Sequence, residues 1–247
     1  MILARLSNAL RRQDWLAVAI EFVIVVAGVL LAFQISLLSE RRAEAARVEA
    51  QIDLVAAEMR ENLERIRTNI GLLERYNPEL RELRVLLSEY SEETDGEHLN
   101  RIAIHAFTNP TLELELLALE RLESMDGRQL LSNSGVERAL RDWRGLYDET
   151  KEAEANTQDS IQDTRTGAVF AELSIEAMVS AFPLNFGLME PVPARFETDW
   201  QALSEDPAFA GHLAIMSLHF EYIWWLNRNL EESTEAVLDA IEERQAP

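Results

Sequence analysis

The sequence predicts an all-α protein: one N-terminal transmembrane helix that continues into an elongated soluble helical bundle with three long helices and several short ones. Three observations lead there. Residues 16–38, LAVAIEFVIVVAGVLLAFQISLL, are apolar almost throughout. The remainder is rich in Ala, Leu, Glu and Arg, with only 9 Gly and 7 Pro in 247 residues, a composition of helix formers. Its apolar residues recur at three- and four-residue steps, and no segment alternates as a strand does.

Residues 1–14 place Ile2, Leu3, Leu6 and Leu10 on one side of a helix, with Arg5, Arg11 and Arg12 elsewhere. That pattern predicts a short basic amphipathic segment lying on an anionic membrane surface. Residues 15–38 form the span, about 36 Å of helix against a hydrocarbon core of about 30 Å. A cleaved signal peptide fits less well, because the apolar run is long and contains Glu21. The nearest A-x-A pattern, Ala43-Glu44-Ala45, also lies beyond Glu40-Arg41-Arg42.

Arg5, Arg11 and Arg12 before the span are matched by Arg41, Arg42 and Arg47 after it, so flanking charge alone does not orient it. The short basic N-terminus and long acidic remainder favour a signal anchor. The expected topology is a bacterial inner-membrane protein, single-pass, with its N-terminus cytoplasmic and its acidic domain, residues 39–247, periplasmic.

The first long helix of that domain is expected over 39–76. Val48, Ile52, Val55, Met59, Ile66, Ile70 and Leu73 make one stripe, and Asn77-Pro78 is expected to break it, since a residue before proline disfavours α geometry. Short helices then follow over about 79–90, 98–108 and 112–123. Ser134 with Glu137 three residues on resembles a capping box and opens the second long helix, expected over 134–180. Its polar middle, Lys151 to Gln162, reads as exposed, locally broken or packed only on alanines. Residues 182–199 hold Pro183, Pro191 and Pro193 and read as an irregular connection.

Asp206-Pro207 starts the third long helix, expected over 207–243. Phe209, Leu213, Met216, Phe220, Ile223, Leu230, Val237 and Ile241 recur at coiled-coil spacing, interrupted by Asn227 and Thr234. These two read as register-setting polar groups. Ala208–Leu226 is a poor second span, because His212, His219 and Glu221 would be costly in lipid.

Composition restricts the function classes. There are 44 acidic against 23 basic residues, a formal charge of −21, which argues against nucleic acid as a partner because phosphate backbones need a basic face. The absence of cysteine excludes disulfides, thiolate metal sites and a cysteine nucleophile. His98 and His105 are seven apart, as are His212 and His219, about 10 Å along a helix and too far to share one ion without further ligands. The paired carboxylates read as solvated helix faces. No catalytic, cofactor or metal site is expected.

The span itself holds the sharpest candidates. Ala17, Glu21, Gly28 and Ala32 share one face, and Gly28-x-x-x-Ala32 is a small-xxx-small pattern that lets two helices approach closely. That face predicts self-association or docking on another membrane helix. Glu21 is also a candidate proton-coupling group, since an ionisable residue in a span is costly. The layout is similar there to proton-driven motor subunits. An interfacial or packing role for Glu21 is the simpler reading, as it lies near enough to the membrane edge to reach water or Arg12.

The run Glu21-Phe22-Val23-Ile24-Val25-Val26-Ala27-Gly28-Val29-Leu30-Leu31-Ala32-Phe33-Gln34 resembles the E-F-x-x-V-V-x-G-x-L-x-A-x-Q signature of a bacterial single-span membrane protein family, a domain of unknown function. The stretch from Leu131 to Leu140, leading to Trp143 and Tyr147, is similar to a second motif there. Where that family often continues with Asn and Trp after the glutamine, Ile35-Ser36-Leu37-Leu38 stand here. The resemblance implies a basic N-terminus, a span, a charged helix and a helical remainder, and no activity.

The expected function is therefore a non-enzymatic scaffold or protein-interaction subunit of an inner-membrane assembly. Its expected partners are the lipid bilayer and either further copies of itself or another membrane protein. Two alternatives belong to other classes: a periplasmic sensor signalling through its span, and a proton-coupled single-span motor subunit using Glu21.

Overall fold

A computed structural model describes residues 15–132, 134–165, 172–181 and 194–246, without the side chains of 15–19, 21, 127, 130, 164 and 165. Every regular element among the described residues is helical, as the sequence predicts. In order these are α1 (Trp15–Ser88), α2 (Gly96–Ala103) with a 3-10 turn (Ile104–Phe107), and α3 (Leu117–Ser124) with a second 3-10 turn (Asp126–Leu131). Then come α4 (Gly135–Arg165), α5 (Ile175–Ala181), α6 (Trp200–Ser204) and α7 (Pro207–Gln245).

α1 runs for 74 residues, with Pro78 inside it. The break expected at Asn77-Pro78 does not occur, and the expected helices 39–76 and 79–90 are one continuous element ending at Ser88. An internal proline forfeits one backbone hydrogen bond and crowds the preceding turn, at about 3 kcal/mol. Here Leu73, Leu80, Leu83 and Leu87 are all buried on one stripe across the proline, against Phe209, Leu213, Met216 and Phe220. Each leucine so buried contributes about 1.5–3 kcal/mol, so packing outweighs the local penalty.

α7 is the central element. Its stripe from Phe209 to Ile241 is buried throughout, and it makes extensive contacts with both α1 and α4. Asp206 caps it as expected, accepting from the Ala208 amide at 2.8 Å. Ser134 likewise caps α4 through the Glu137 amide at 3.1 Å. α4 is described as far as Arg165; residues 172–174 are not helical, so the helix expected to run to 180 is interrupted and α5 is separate. The reason is visible at Ser174, whose Oγ accepts from the Ala177 amide at 3.1 Å and donates to the Phe196 carbonyl at 2.7 Å. It caps a new helix and ties it to the chain leading into α6. The polar middle of α4 is unbroken helix, with Ala153, Glu154, Thr157 and Ile161 buried.

The stretch expected as a helix over 112–123 is helical only from Leu117. Residues 109–116 instead form a non-helical strap bridging α1 and α4. Several of its backbone groups are taken by side chains, in competition with a helix ladder. Asn62 donates to the Glu115 carbonyl at 2.7 Å and accepts its amide at 2.9 Å. Asn69 donates to the Thr111 carbonyl at 3.2 Å. Glu154 accepts the Leu112 amide at 2.7 Å, and Lys151 donates to the Leu112 carbonyl at 3.1 Å. Glu58 accepts the Ala118 and Leu119 amides at 2.7 and 3.0 Å, capping α3 from another helix.

The core falls into two clusters along α1 and α7. One gathers Val48 to Ile70 with Trp143, Leu230, Val237 and Ile241; the other gathers Leu73 to Leu87 with Phe209 to Leu226. Between them sits a polar layer, where the buried Asn227 donates to Asn69 at 2.8 Å.

Candidate interaction face

The apolar start of α1 is not buried in the fold. From Phe22 to Leu38 its large side chains are exposed except the half-buried Leu37, and this is the one helix among the described residues long and apolar enough to cross a membrane. Gly28 and Ala32 are both exposed, one turn apart, and a Cβ added at Gly28 would meet nothing within 4 Å. A second helix can therefore approach there without displacing anything. Gln34 is exposed as well. The side chains of Ala17 and Glu21 lie outside the described residues, as do Arg5, Arg11 and Arg12, so the face is defined here by Gly28 and Ala32.

What happens on that face is mechanically connected to the domain. α1 reaches its first fully buried residue, Val48, ten residues after Leu38, about 15 Å along the axis, without interruption. Ion pairs then hold α7 beside it. Arg244 grips Glu49 at 2.6 Å, and Arg67 binds both Glu231 and Glu235 at 2.8 Å. Two buried polar contacts complete the fit. Asn227 meets Asn69, and Thr234 accepts from the Trp143 indole at 2.8 Å while donating to the Leu230 carbonyl at 2.6 Å. A slip of one residue along α7 would leave these groups buried without partners, which is costly.

The histidines are placed as structural groups. His98 and His105 each meet a carboxylate of α1, Glu82 at 2.7 Å and Glu79 at 2.6 Å, and His105 stacks on Tyr76 at 3.9 Å. His212 bonds the Ala106 carbonyl at 2.9 Å and stacks on Phe107. Burial pushes the imidazoles of His105, His212 and His219 below the usual histidine value, because it disfavours the charged form; Glu79 opposes this at His105. Among the described residues no three His, Asp or Glu side chains converge as a metal set would require.

The deepest charged pair is Lys151 with Glu154, 2.6 Å apart. Glu154 is raised above the ordinary carboxylate value, burial outweighing the lysine and the Leu112 amide. Both groups are bonded to the strap, so they hold structure. The sequence reading of this segment as exposed, locally broken or packed only on alanines missed them. It also missed Glu58, Asn62 and Asn69; the available signal was two asparagines seven apart beside an apolar stripe. A groove of about 820 Å³ beside α3 and α4 is lined by Arg128, Arg141 and Arg144 together with Glu123, Asp126 and Glu137. Its charges are balanced, and Arg141 is already paired with Glu137 at 3.1 Å.

Comparison of the chain with protein-family models, with curated proteins and with solved structures finds no match.

Proposed function

We propose that this chain is a single-span bacterial inner-membrane protein, of the family whose E-F-x-x-V-V-x-G-x-L-x-A-x-Q signature its span resembles. Its acidic domain works as a non-enzymatic scaffold for other proteins. In this reading the N-terminus is cytoplasmic and the domain periplasmic, with Arg5, Arg11 and Arg12 on the membrane surface. α1, α4 and α7 act as an elongated bundle with a coiled-coil-like seam. The observation that carries it is the continuity of α1, whose uncovered apolar end joins without a break to a stripe buried in the domain core. A helix so built presents one end to lipid or to partner spans and holds the other rigidly.

Because the chain has no cysteine, single substitutions report cleanly. Ala32→Cys in native membranes is expected to crosslink to a second span, and adding Gly28→Ile should reduce that yield several-fold by blocking close approach. An impermeant thiol reagent from the periplasmic side should label a cysteine near residue 245 and not one near residue 3. Crosslinking to nothing, together with recovery of no partner, would sink the scaffold reading.

The same continuity favours a second reading, a sensor in which rotation of the span is felt at the α1–α7 contacts. Ligand-dependent change in the Ala32→Cys crosslink would support it. The motor reading rests on Glu21 alone, and an unimpaired Glu21→Gln variant would exclude it.

A further inference from the structure

α7 carries two apolar stripes. The first is buried from Phe209 to Ile241. The second, Ile215, Leu218, Tyr222 and Trp225, follows the same three- and four-residue steps on the opposite side of the helix and is 44–66% exposed. Four large side chains in a row over three turns are the anchor pattern of a helix-binding face, and tyrosine and tryptophan are the residues that most often dominate such contacts. The two rings stack 6.1 Å apart at 11°, and the Tyr222 hydroxyl donates to Glu149 at 2.7 Å. The aromatic pair is thus held in place before anything binds.

The charges beside this stripe identify what fits it. Glu149 and Glu152 of α4 are close enough to act electrostatically on Tyr222, and Asp159, seven residues after Glu152, continues that exposed edge. Glu221 lies on the other side. Two cations beside or on α7 are already engaged, Arg81 with Glu221 at 3.4 Å and Arg228 with Glu231 at 2.8 Å. A second copy would set acidic edge against acidic edge, and anionic lipid would be repelled. We propose that the outer face of α7 docks an amphipathic helix of a partner protein, one whose apolar stripe is flanked by Lys or Arg. The proposal rests on the scaffold reading and gives that scaffold its binding face.

The test uses the full chain in nanodiscs of zwitterionic lipid, with empty nanodiscs as the blank. Two fluorescent probe peptides of about three heptads carry Leu at both core positions and differ only in having Lys or Glu at the flanking positions. The Lys peptide should bind at least about tenfold tighter than the Glu peptide at low salt. Leu218→Glu should weaken it by about tenfold or more, and Glu152→Lys should narrow the preference without changing the melting temperature. A bimane on Leu218→Cys, a unique thiol, should be open to an aqueous quencher until the Lys peptide is added. No binding, equal binding of both peptides, or indifference to Leu218→Glu would overturn the proposal. So would a bimane already shielded in the monomer, which would mean that the chain covers its own stripe. Shielding lost on dilution would assign the face to a second copy and overturn it equally. If partners recovered from membranes persist with Leu218→Glu, the α7 face fails while the scaffold reading stands.

Discussion

Thr234 and Trp143 show what a single residue does in this molecule. Both are wholly buried, and the threonine hydroxyl satisfies the indole N–H across two helices. Thr234→Val keeps the shape and removes the acceptor, leaving a buried donor unmade, at a cost of about 1–3 kcal/mol. Thr234→Ser keeps the acceptor and loses one methyl, about 1 kcal/mol. Thermal unfolding of the micellar protein should rank them wild type, then serine, then valine; a valine variant as stable as the serine would mean the bond contributes nothing. The same logic explains why Asn227 interrupts an apolar stripe. Its pairing with Asn69 lies where the strap crosses, and Asn69 also bonds the Thr111 carbonyl there.

At the scale of elements, α1 is decided by competition between local and tertiary terms. Pro78 opposes helix locally, while the leucines on either side are buried against α7. Pro78→Ala restores an N–H able to bond the Glu74 carbonyl and is expected to stabilise the domain by up to about 3 kcal/mol. The readout is a higher unfolding midpoint with an unchanged denaturant slope. A lower midpoint would mean that the core has been shaped around a bend at the proline. The strap makes the converse point. Leu112, Leu114 and Leu116 read as helix by pattern, yet side chains of α1 and α4 claim the backbone of Leu112 and Glu115 among them. Nothing within 109–116 announces that, because the competing groups lie about 40–60 residues away in sequence.

For the molecule as a whole, the buried histidines couple stability to pH. His105, His212 and His219 have folded values below 6.5, all through burial. Folding therefore binds fewer protons than the unfolded chain does once pH drops beneath 6.5. Stability should be full above that value and fall as pH declines through it. Glu154 works in the opposite direction. Its folded value is raised above 4.5, so its protonation relieves the folded state as pH falls toward that figure. The histidines separate the two: melting temperature should drop between pH 7.5 and 5.5, and His212→Gln should shrink the drop. A flat profile would mean that the imidazoles reach water more freely than their burial implies.

Helical class, the long apolar N-terminal helix, the caps at Ser134 and Asp206 and the inward stripe of α7 were all readable from the residues alone. Each follows from periodicity or from chemistry within a few positions, and such signals do not depend on what else is nearby. That Gly28 and Ala32 fall one turn apart on the apolar helix was legible for the same reason. Packing was needed for everything that depends on distant partners: helix through Pro78, the strap at 109–116, the new helix capped by Ser174, and the burial of Glu154. The outer stripe of α7 belongs with these. Ile215, Leu218, Tyr222 and Trp225 are as apolar as the inner stripe, and only the positions of α1 and α4 determine which side of the helix is filled and which is left open.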